Sequence, residues 1–451
     1  MQILRDKNQF ILRDALGRTF CTFYTEEDIT SIENITIDDI ILALMDPYIC
    51  PTFKISILNP DETVKCEIPL EDIPSGGISY TETYQNGQRR SITLKLINKD
   101  GKYSPSINKG PKYSRNLYKN EIIRKEDSND SLLIWKGTKF KYDIGLRIKG
   151  KKIWFAKGIY VLSSTESIQE DSNKTITLQL KDKFAKLENN NGKLLTAYEI
   201  PVGSKVRQVL QDLLNTDMGD GYNIDCKPFI LPSSLNDFEI QADIKKEAGD
   251  TFGSIFLDIA TQMSCECYYN ETGNLVFSLL DETVNDHNKA VCWQYLKKNY
   301  DLISLSVSHE FDNVVNMVKV IGDNIDNGIF SALVVNNDPR SPVCINKIGK
   351  CPDTPITDAN VWSNTLAHDV AIYNLRKKSL IALGLSALVK FNPLITVDFL
   401  CEIEHDFFQL KREKCVINSI SYSDNTGQMS LNVTSIQNLD FINMTDGGYE
   451  K

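Results

Sequence analysis

The feature that most constrains this chain is a period of two. From Pro51 onward, short runs alternate apolar and polar residues and stop at Gly, Asn, Asp or Pro. The first, Phe53-Lys54-Ile55-Ser56-Ile57-Leu58, ends at Asn59-Pro60-Asp61. Such alternation turns one set of side chains to a core and the other to water, which predicts strands. Further strands are expected over residues 78–84, 90–97, 132–136, 139–148, 153–163 and 175–180. Helical periodicity is nearly absent in this stretch. Strands at this spacing predict one antiparallel barrel or sandwich over residues 51–190.

Before it, Phe10-Ile11-Leu12 and the run 19–24 read as two short strands around Asp14-Ala15-Leu16-Gly17. An acidic, Ile-rich stretch follows, and Asp46-Pro47 and Cys50-Pro51 break any helix. Residues 1–50 are therefore expected to form an N-terminal extension. Beyond the polar break Asn189-Asn190-Asn191-Gly192 the pattern changes to α+β over residues 191–300. Pro201-Val202-Gly203-Ser204 opens a helix with Val206, Val209, Leu210, Leu213 and Leu214 on one face, and Gly219-Asp220-Gly221 ends it. A second helix is expected over 251–263, then a hairpin pairing 265–269 with 275–279 across Asn270-Glu271-Thr272-Gly273.

From Leu302 the β pattern returns. Strands are expected at 302–307, 316–321, 331–335, 379–389, 400–403, 414–422 and 429–435, with one helix over 358–378. Residues 301–440 thus read as a second β-barrel-like domain with one helix, and 441–451 as a flexible polar tail. The predicted class is mainly β, with two β-barrel-like domains flanking a mixed α+β domain.

Composition excludes several roles. No run of about 18 apolar residues exists, which argues against membrane insertion. Arg5, Asp6 and Lys7 interrupt the apolar start, unlike a secretory signal. The 451 residues carry 50 basic and 60 acidic side chains, net −10, and no specific nucleic-acid binding is expected of such a surface. One basic stretch, Lys109 to Lys125 with Tyr113 and Tyr118 inside it, reads as a solvated loop or as a contact for an acidic partner. Eleven Cys stand singly, mostly in apolar runs, and read as reduced, buried hydrophobes.

Chemistry is sparse. Cys265 and Cys267 share a strand face without a second ligand pair at zinc spacing. Cys344 and Cys351 lie in one loop. His405 has Glu402, Glu404 and Asp406 nearby, a spacing that fits a solvated acidic turn. Nucleophile-elbow, phosphate-loop and dinucleotide motifs are missing. A glycosidase pair has no preferred candidates among the many carboxylates. The expectation is no enzyme, no cofactor and no metal.

The order of motifs late in the chain adds a direction. Asn313-Val314-Val315-Asn316-Met317-Val318-Lys319-Val320-Ile321-Gly322 is followed by Asn336-Asn337-Asp338-Pro339-Arg340-Ser341-Pro342, then Ile345-Asn346-Lys347-Ile348-Gly349, a helix and closing strands. This resembles the baseplate-hub and tail-hub proteins of long-tailed, contractile phages and phage-tail-like bacteriocins. Trp135-Lys136-Gly137 and Gly158-Ile159-Tyr160-Val161-Leu162 fit the same family, as do the helix openings at Ile200 and Asp250. The resemblance spans about Pro51 to Leu439 and rests on order, not on a catalytic signature. It implies a trimeric ring of pseudo-sixfold symmetry that adapts a hexameric tail tube to a central spike. The implied partners are two further copies, a tail tube or upper-baseplate protein, and the spike. The implied place is the baseplate of a virion or tail-like particle assembled in a bacterial cytoplasm. The candidate interface residues are structural: Pro339, Arg340 and Pro342 fixing a loop, and Gly322 and Gly349 permitting tight turns. Arg340 is either an intersubunit salt bridge or a local loop anchor. The rivals are a cell-wall hydrolase and a carbohydrate-binding tail-tip or distal-tail protein. Because the sequence ends soon after its second β unit, no fused lytic domain is expected.

Overall fold

The period-two runs do become strands. The computed structural model describes residues 12–13, 19–21, 23–25, 37–46, 49–99, 103, 134–170, 173–217, 223–279, 291–296, 301–308, 314–324, 328–379, 384–435 and 442–444. The chain begins with β1 (Leu12–Arg13), β2 (Thr19–Cys21), β3 (Phe23–Thr25) and α1 (Ile37–Met45). The first long β series is β4 (Thr52–Leu58), β5 (Val64–Glu67), β6 (Ile78–Thr83), β7 (Arg90–Ile97), β8 (Lys139–Ile148), β9 (Lys151–Glu170) and β10 (Asn173–Asp182). The middle stretch holds α2 (Phe184–Glu188), β11 (Tyr198–Ile200), α3 (Val206–Leu214), β12 (Ile244–Lys246), α4 (Phe252–Gln262), β13 (Cys265–Tyr269) and β14 (Leu275–Leu279). Then come β15 (Val291–Tyr295), β16 (Leu302–Ser308), β17 (Met317–Asn324), β18 (Gly328–Val335), α5 (Ile345–Ile348), β19 (Ile356–Thr357) and α6 (Asn364–Ser379). The chain closes with β20 (Gly384–Lys390), β21 (Leu400–His405), β22 (Leu410–Ser423), β23 (Gln428–Ser435) and β24 (Ile442–Met444).

One antiparallel path dominates: β16-β20-β23-β22-β6-β7-β10-β9-β8-β4-β5. Strands from before Asn189 and strands from after Leu302 are thereby hydrogen-bonded into a single 14-stranded sheet. Their seam is β6 against β22, in register from Thr83↔Ser419 to Ser79↔Ser423. β15 joins parallel to β21, and β3 adds to β9. The β8–β9 hairpin turns on Lys149 and Gly150 at φ +50° and +81°, the two positive angles of a type I′ turn that matches strand twist. Inward residues of both halves fill one core, from Ile55, Tyr142 and Leu178 to Ile417 and Leu431, and α1 seats Ile40 and Leu44 in it.

Two smaller bodies pack beside this sheet. The middle unit closes its own core around Phe184, Leu210, Ile259, Cys267 and Phe277. Its α4 starts at Thr251, whose hydroxyl accepts from the Ser254 amide, an N-cap the sequence supplies. The other body is a four-stranded sheet, β19-β17-β18-β24, covered by α6 through Leu366, Ala367, Ala371 and Leu375. The runs 316–321 and 331–335, expected within the second barrel, build this separate lobe. Ile442–Met444, expected in a loose tail, pairs with β18 there.

The mainly β class with an α+β middle is as the sequence predicts. Several local expectations are corrected. Residues 134–136 make a turn, Thr138 donating its amide to the Trp135 carbonyl at 3.0 Å, and Trp135 is partly exposed, so no strand forms there. Pro201–Ser204 is a turn with Gly203 at φ +82°, and α3 starts only at Val206. Residues 358–361 form a turn ahead of α6, which itself runs through Ser379, so β20 begins at Gly384. β5 and β15 had no clear signal: β5 is a mostly exposed four-residue edge strand, and β15 is five residues long. The basic stretch 109–125 and the turn 219–221 lie outside the described residues.

Candidate functional site

Period-two alternation also places two charges where apolar residues belong. Along β6 the inward positions are Ile78, Tyr80 and Glu82; along β7 they are Arg90, Ile92, Leu94 and Leu96. Glu82 and Arg90 sit opposite one another in register and are nearly fully buried. An unpaired charge at such a depth is very costly, so both must be satisfied. Arg90 Nε donates to Glu82 at 2.8 Å, one Nη bonds Glu271 at 2.5 Å, and the other donates to the Tyr269 carbonyl at 2.8 Å. Thr396 donates its hydroxyl to Glu82 at 2.8 Å. Burial opposes the charge on Glu82, but Arg90, Lys157 and the Thr396 hydroxyl hold its carboxyl below the ordinary range.

The β6–β7 connection then enters the middle unit. Gly87 donates its amide to the Cys267 carbonyl at 2.8 Å, and Asn86 accepts from the Cys267 amide at 2.7 Å. The Arg89 guanidinium lies 3.5 Å from the Tyr268 ring centroid and bonds Glu266 at 2.6 Å. Behind both arginines, Asp182 accepts the backbone amides of Arg89 at 2.7 Å, Arg90 at 2.9 Å and Phe184 at 3.1 Å. Burial outweighs those donors and raises the Asp182 carboxyl to about 6. A cleft of about 390 Å³ opens beside this network, lined by Arg89, Arg90, Glu271, Thr396, Val276 and Phe399.

A second buried cluster ties β4–β5 to the middle unit. Glu62, at φ +68°, meets Lys183 at 2.7 Å, Lys139 at 2.9 Å and Lys227 at 3.5 Å, and Lys183 also meets Asp225 at 2.7 Å. Glu62, Asp225 and Cys226 are the one set among the described residues whose atoms come close enough to share a metal ion. The chemistry is wrong for one. Three ammonium groups already face two carboxylates, and burial pushes the Cys226 thiol up, away from the thiolate a metal needs. The cluster is an ion-pair clamp.

The loop expected to carry interface residues is tightly built. Pro339 and Pro342 each take the second position of a turn, closed by Ser341 N–H to Asp338 O at 2.9 Å and Cys344 N–H to Ser341 O at 3.4 Å. Buried Asn316 ties the loop from below, donating to the carbonyls of Gly349 at 2.7 Å and Val343 at 3.2 Å. Arg340 pairs with Asp338 in its own turn, Nε lying 3.0 Å from both carboxylate oxygens, while its side chain stays 61% exposed. Gly349 ends α5 at φ +84°, a conformation that favours glycine. Gly322 makes no turn. It lies inside β17 opposite Phe330, and a Cβ there would fall 2.2 Å from the Val361 carbonyl oxygen. Its role is close approach of the sheet to the segment leading into α6.

Other sequence candidates do not converge. Cys265 and Cys267 are buried together in the middle core. His405 packs on Phe408 with ring centroids 5.0 Å apart, while Glu402 accepts from Gln294 at 2.8 Å. Sequence reasoning missed Glu82, Arg89, Arg90 and Glu266. For Glu82 and Arg90 a signal existed: each is a charge in phase with the apolar half of its strand. For Glu266 none did, because Cys265, Glu266 and Cys267 are all buried and the alternation vanishes.

No protein-family model matches the chain, and no curated protein matches it. Solved structures do. The tail protein from Neisseria meningitidis MC58 is similar over 85% of this chain and 96% of its own, at 10% identity and a TM-score of 0.53. The prophage MuSo2 43 kDa tail protein from Shewanella oneidensis covers 85% and 98%, at 12% identity and 0.49. Prophage tail protein gp18 from Listeria monocytogenes EGD-e covers 85% and 94%, at 11% identity and 0.46. At such identities the likeness is one of fold. Of the three, the Neisseria protein, above 0.5, carries it.

Proposed function

We propose that this chain is a structural subunit of a phage tail or tail-like particle, acting as the baseplate hub. The observation that carries the reading is its fold likeness to the Neisseria tail protein over 85% of the chain. The order of motifs from Asn313 to Gly349 supports the hub assignment within that broader class. In this reading the main sheet, to which residues 51–190 and 301–440 both contribute strands, forms the body of the hub, the middle unit and the lobe flank it, and three copies close into a ring. The ring adapts the tail tube, or an upper-baseplate protein, to a central spike. Such closure hides sheet edges that would otherwise invite aggregation. The loop held by Pro339, Pro342 and Gly349 is a preformed contact surface, with Arg340 as its local anchor.

The role is mechanical, without a cofactor or a catalytic step. It fits that Glu82, Arg90, Glu62 and Lys183 each meet an opposite charge within 3 Å, an arrangement that holds segments together. Immunogold labelling of particles purified from a producing culture tests the reading. Label at the end of the tail is expected. Label on heads or tail shafts, or none on intact particles, would contradict it. Incubation with purified cell wall separates the hydrolase rival, which predicts release of soluble fragments.

A further inference from the structure

Three bodies meet in this molecule: the 14-stranded sheet, the middle unit, and the lobe of β17–β19, β24 and α6. One carboxylate touches all three. Glu266 belongs to β13 of the middle unit and is 4% exposed. Its Oε2 accepts from Arg89, in the β6–β7 connection of the main sheet, at 2.6 Å. Its Oε1 accepts the hydroxyl of Tyr84 at 2.5 Å and that of Tyr373 at 2.8 Å. Tyr84 leaves the end of β6, where its amide donates to the Asn418 carbonyl of β22 at 2.7 Å, so it is fixed to the seam of the main sheet. Tyr373 stands on α6 of the lobe. The two hydroxyl oxygens are 3.5 Å apart, converging on the same carboxylate oxygen.

We propose that Glu266 is a positioning residue, the node that sets the mutual orientation of main sheet, middle unit and lobe. A carboxylate suits the task chemically. It offers acceptor sites on two oxygens and no donor, so it can take a guanidinium on one and two phenols on the other. An amide of the same shape has one acceptor oxygen, and its NH2 would face the Arg89 donors. Burial from water strengthens each bond and makes the loss of any one costly. Neighbouring contacts follow the same geometry. Gly87 and Cys267 are joined through the backbone on one side. On the other, Gln262 of α4 donates to Asn360 at 3.2 Å, and Trp362 donates to the Gln262 carbonyl at 3.4 Å, both ahead of α6. The three bodies are thus oriented as one rigid unit rather than hinged. The proposal concerns the single chain and stands whether or not three copies associate.

The three arms can be cut one at a time in the full-length protein and read by hydrogen–deuterium exchange. Glu266→Gln is expected to speed exchange at least tenfold in both the 86–90 connection and α6, with β8–β10 unchanged. Tyr373→Phe, a mild change that keeps the ring, is expected to speed exchange in α6 only. Arg89→Met is expected to act on the 86–90 connection and the β13–β14 hairpin only. Should Glu266→Gln fail to fold, Tyr373→Phe and Tyr84→Phe still report. Identical effects of these variants on every segment, or native exchange in all of them, would overturn the node.

Discussion

Glu82 and Arg90 show how one misplaced charge on each of two strands becomes an organising feature. Each alone would be an uncompensated charge in the main core. Arg90→Met should therefore cost about 3–5 kcal/mol in denaturant unfolding, because Glu82 and Glu271 lose their cation. The double variant Arg90→Met/Glu82→Leu should recover much of that loss; equal loss in single and double variants would contradict the pairing. Asp182 makes a pH prediction. Its folded carboxyl is raised to about 6, burial being the chief cause. A raised acid favours the folded state while protonated, so its contribution is full below the ordinary aspartate range. It falls as pH climbs to about 6 and is level above. Glu82 and Glu266 are lowered against the opposing effect of burial, chiefly by Arg90 and Arg89 respectively, so their contributions hold above the ordinary glutamate range and fade as pH drops through their folded values. Relative to Asp182→Asn, the native protein should lose stability between pH 4 and 6. A rise over that interval would count against the assignment. Gly322→Ala forces a Cβ toward the Val361 carbonyl and should cost about 1–3 kcal/mol by the same measurement. Arg340→Ala, by contrast, removes a largely exposed pair within one turn and should cost at most about 1 kcal/mol.

Elements were legible where a local signal sufficed. The 139–148 strand and the 265–269/275–279 hairpin fall where alternation and the Asn270–Gly273 turn put them. The helix expected over 251–263 forms as α4, and the structure adds its cap at Thr251. The pairing of β6 with β22 was not legible, since the paired Ser79 and Ser423 lie 344 residues apart and no local pattern encodes that register. The lobe was hidden for a similar reason: β17 and β18 alternate like barrel strands, and only the helix laid on them marks a separate sheet. Gly322 was misread because a glycine after an apolar run looks like a turn, while here it grants close approach. Glu266 was invisible because its strand is covered on both faces. A substitution at the seam tests the element scale. Tyr422 on β22 stacks on Tyr80 of β6 with centroids 4.7 Å apart. Tyr422→Ala should cost about 3–5 kcal/mol, the range for emptying an aromatic site. A loss under about 1 kcal/mol would mean the two halves are held otherwise.

At the scale of the molecule, the architecture is one long sheet with a middle unit tied to it by buried ion pairs and a lobe tied to that unit by hydrogen bonds. The fold is similar to that of the Neisseria tail protein over 85% of the chain. Under the proposed function, copies of this chain close into a threefold ring. Native mass spectrometry of the purified full-length chain at micromolar concentration tests it most directly. The account predicts a dominant species of three chains; a chain that stays monomeric, or pairs only as dimers, would contradict it.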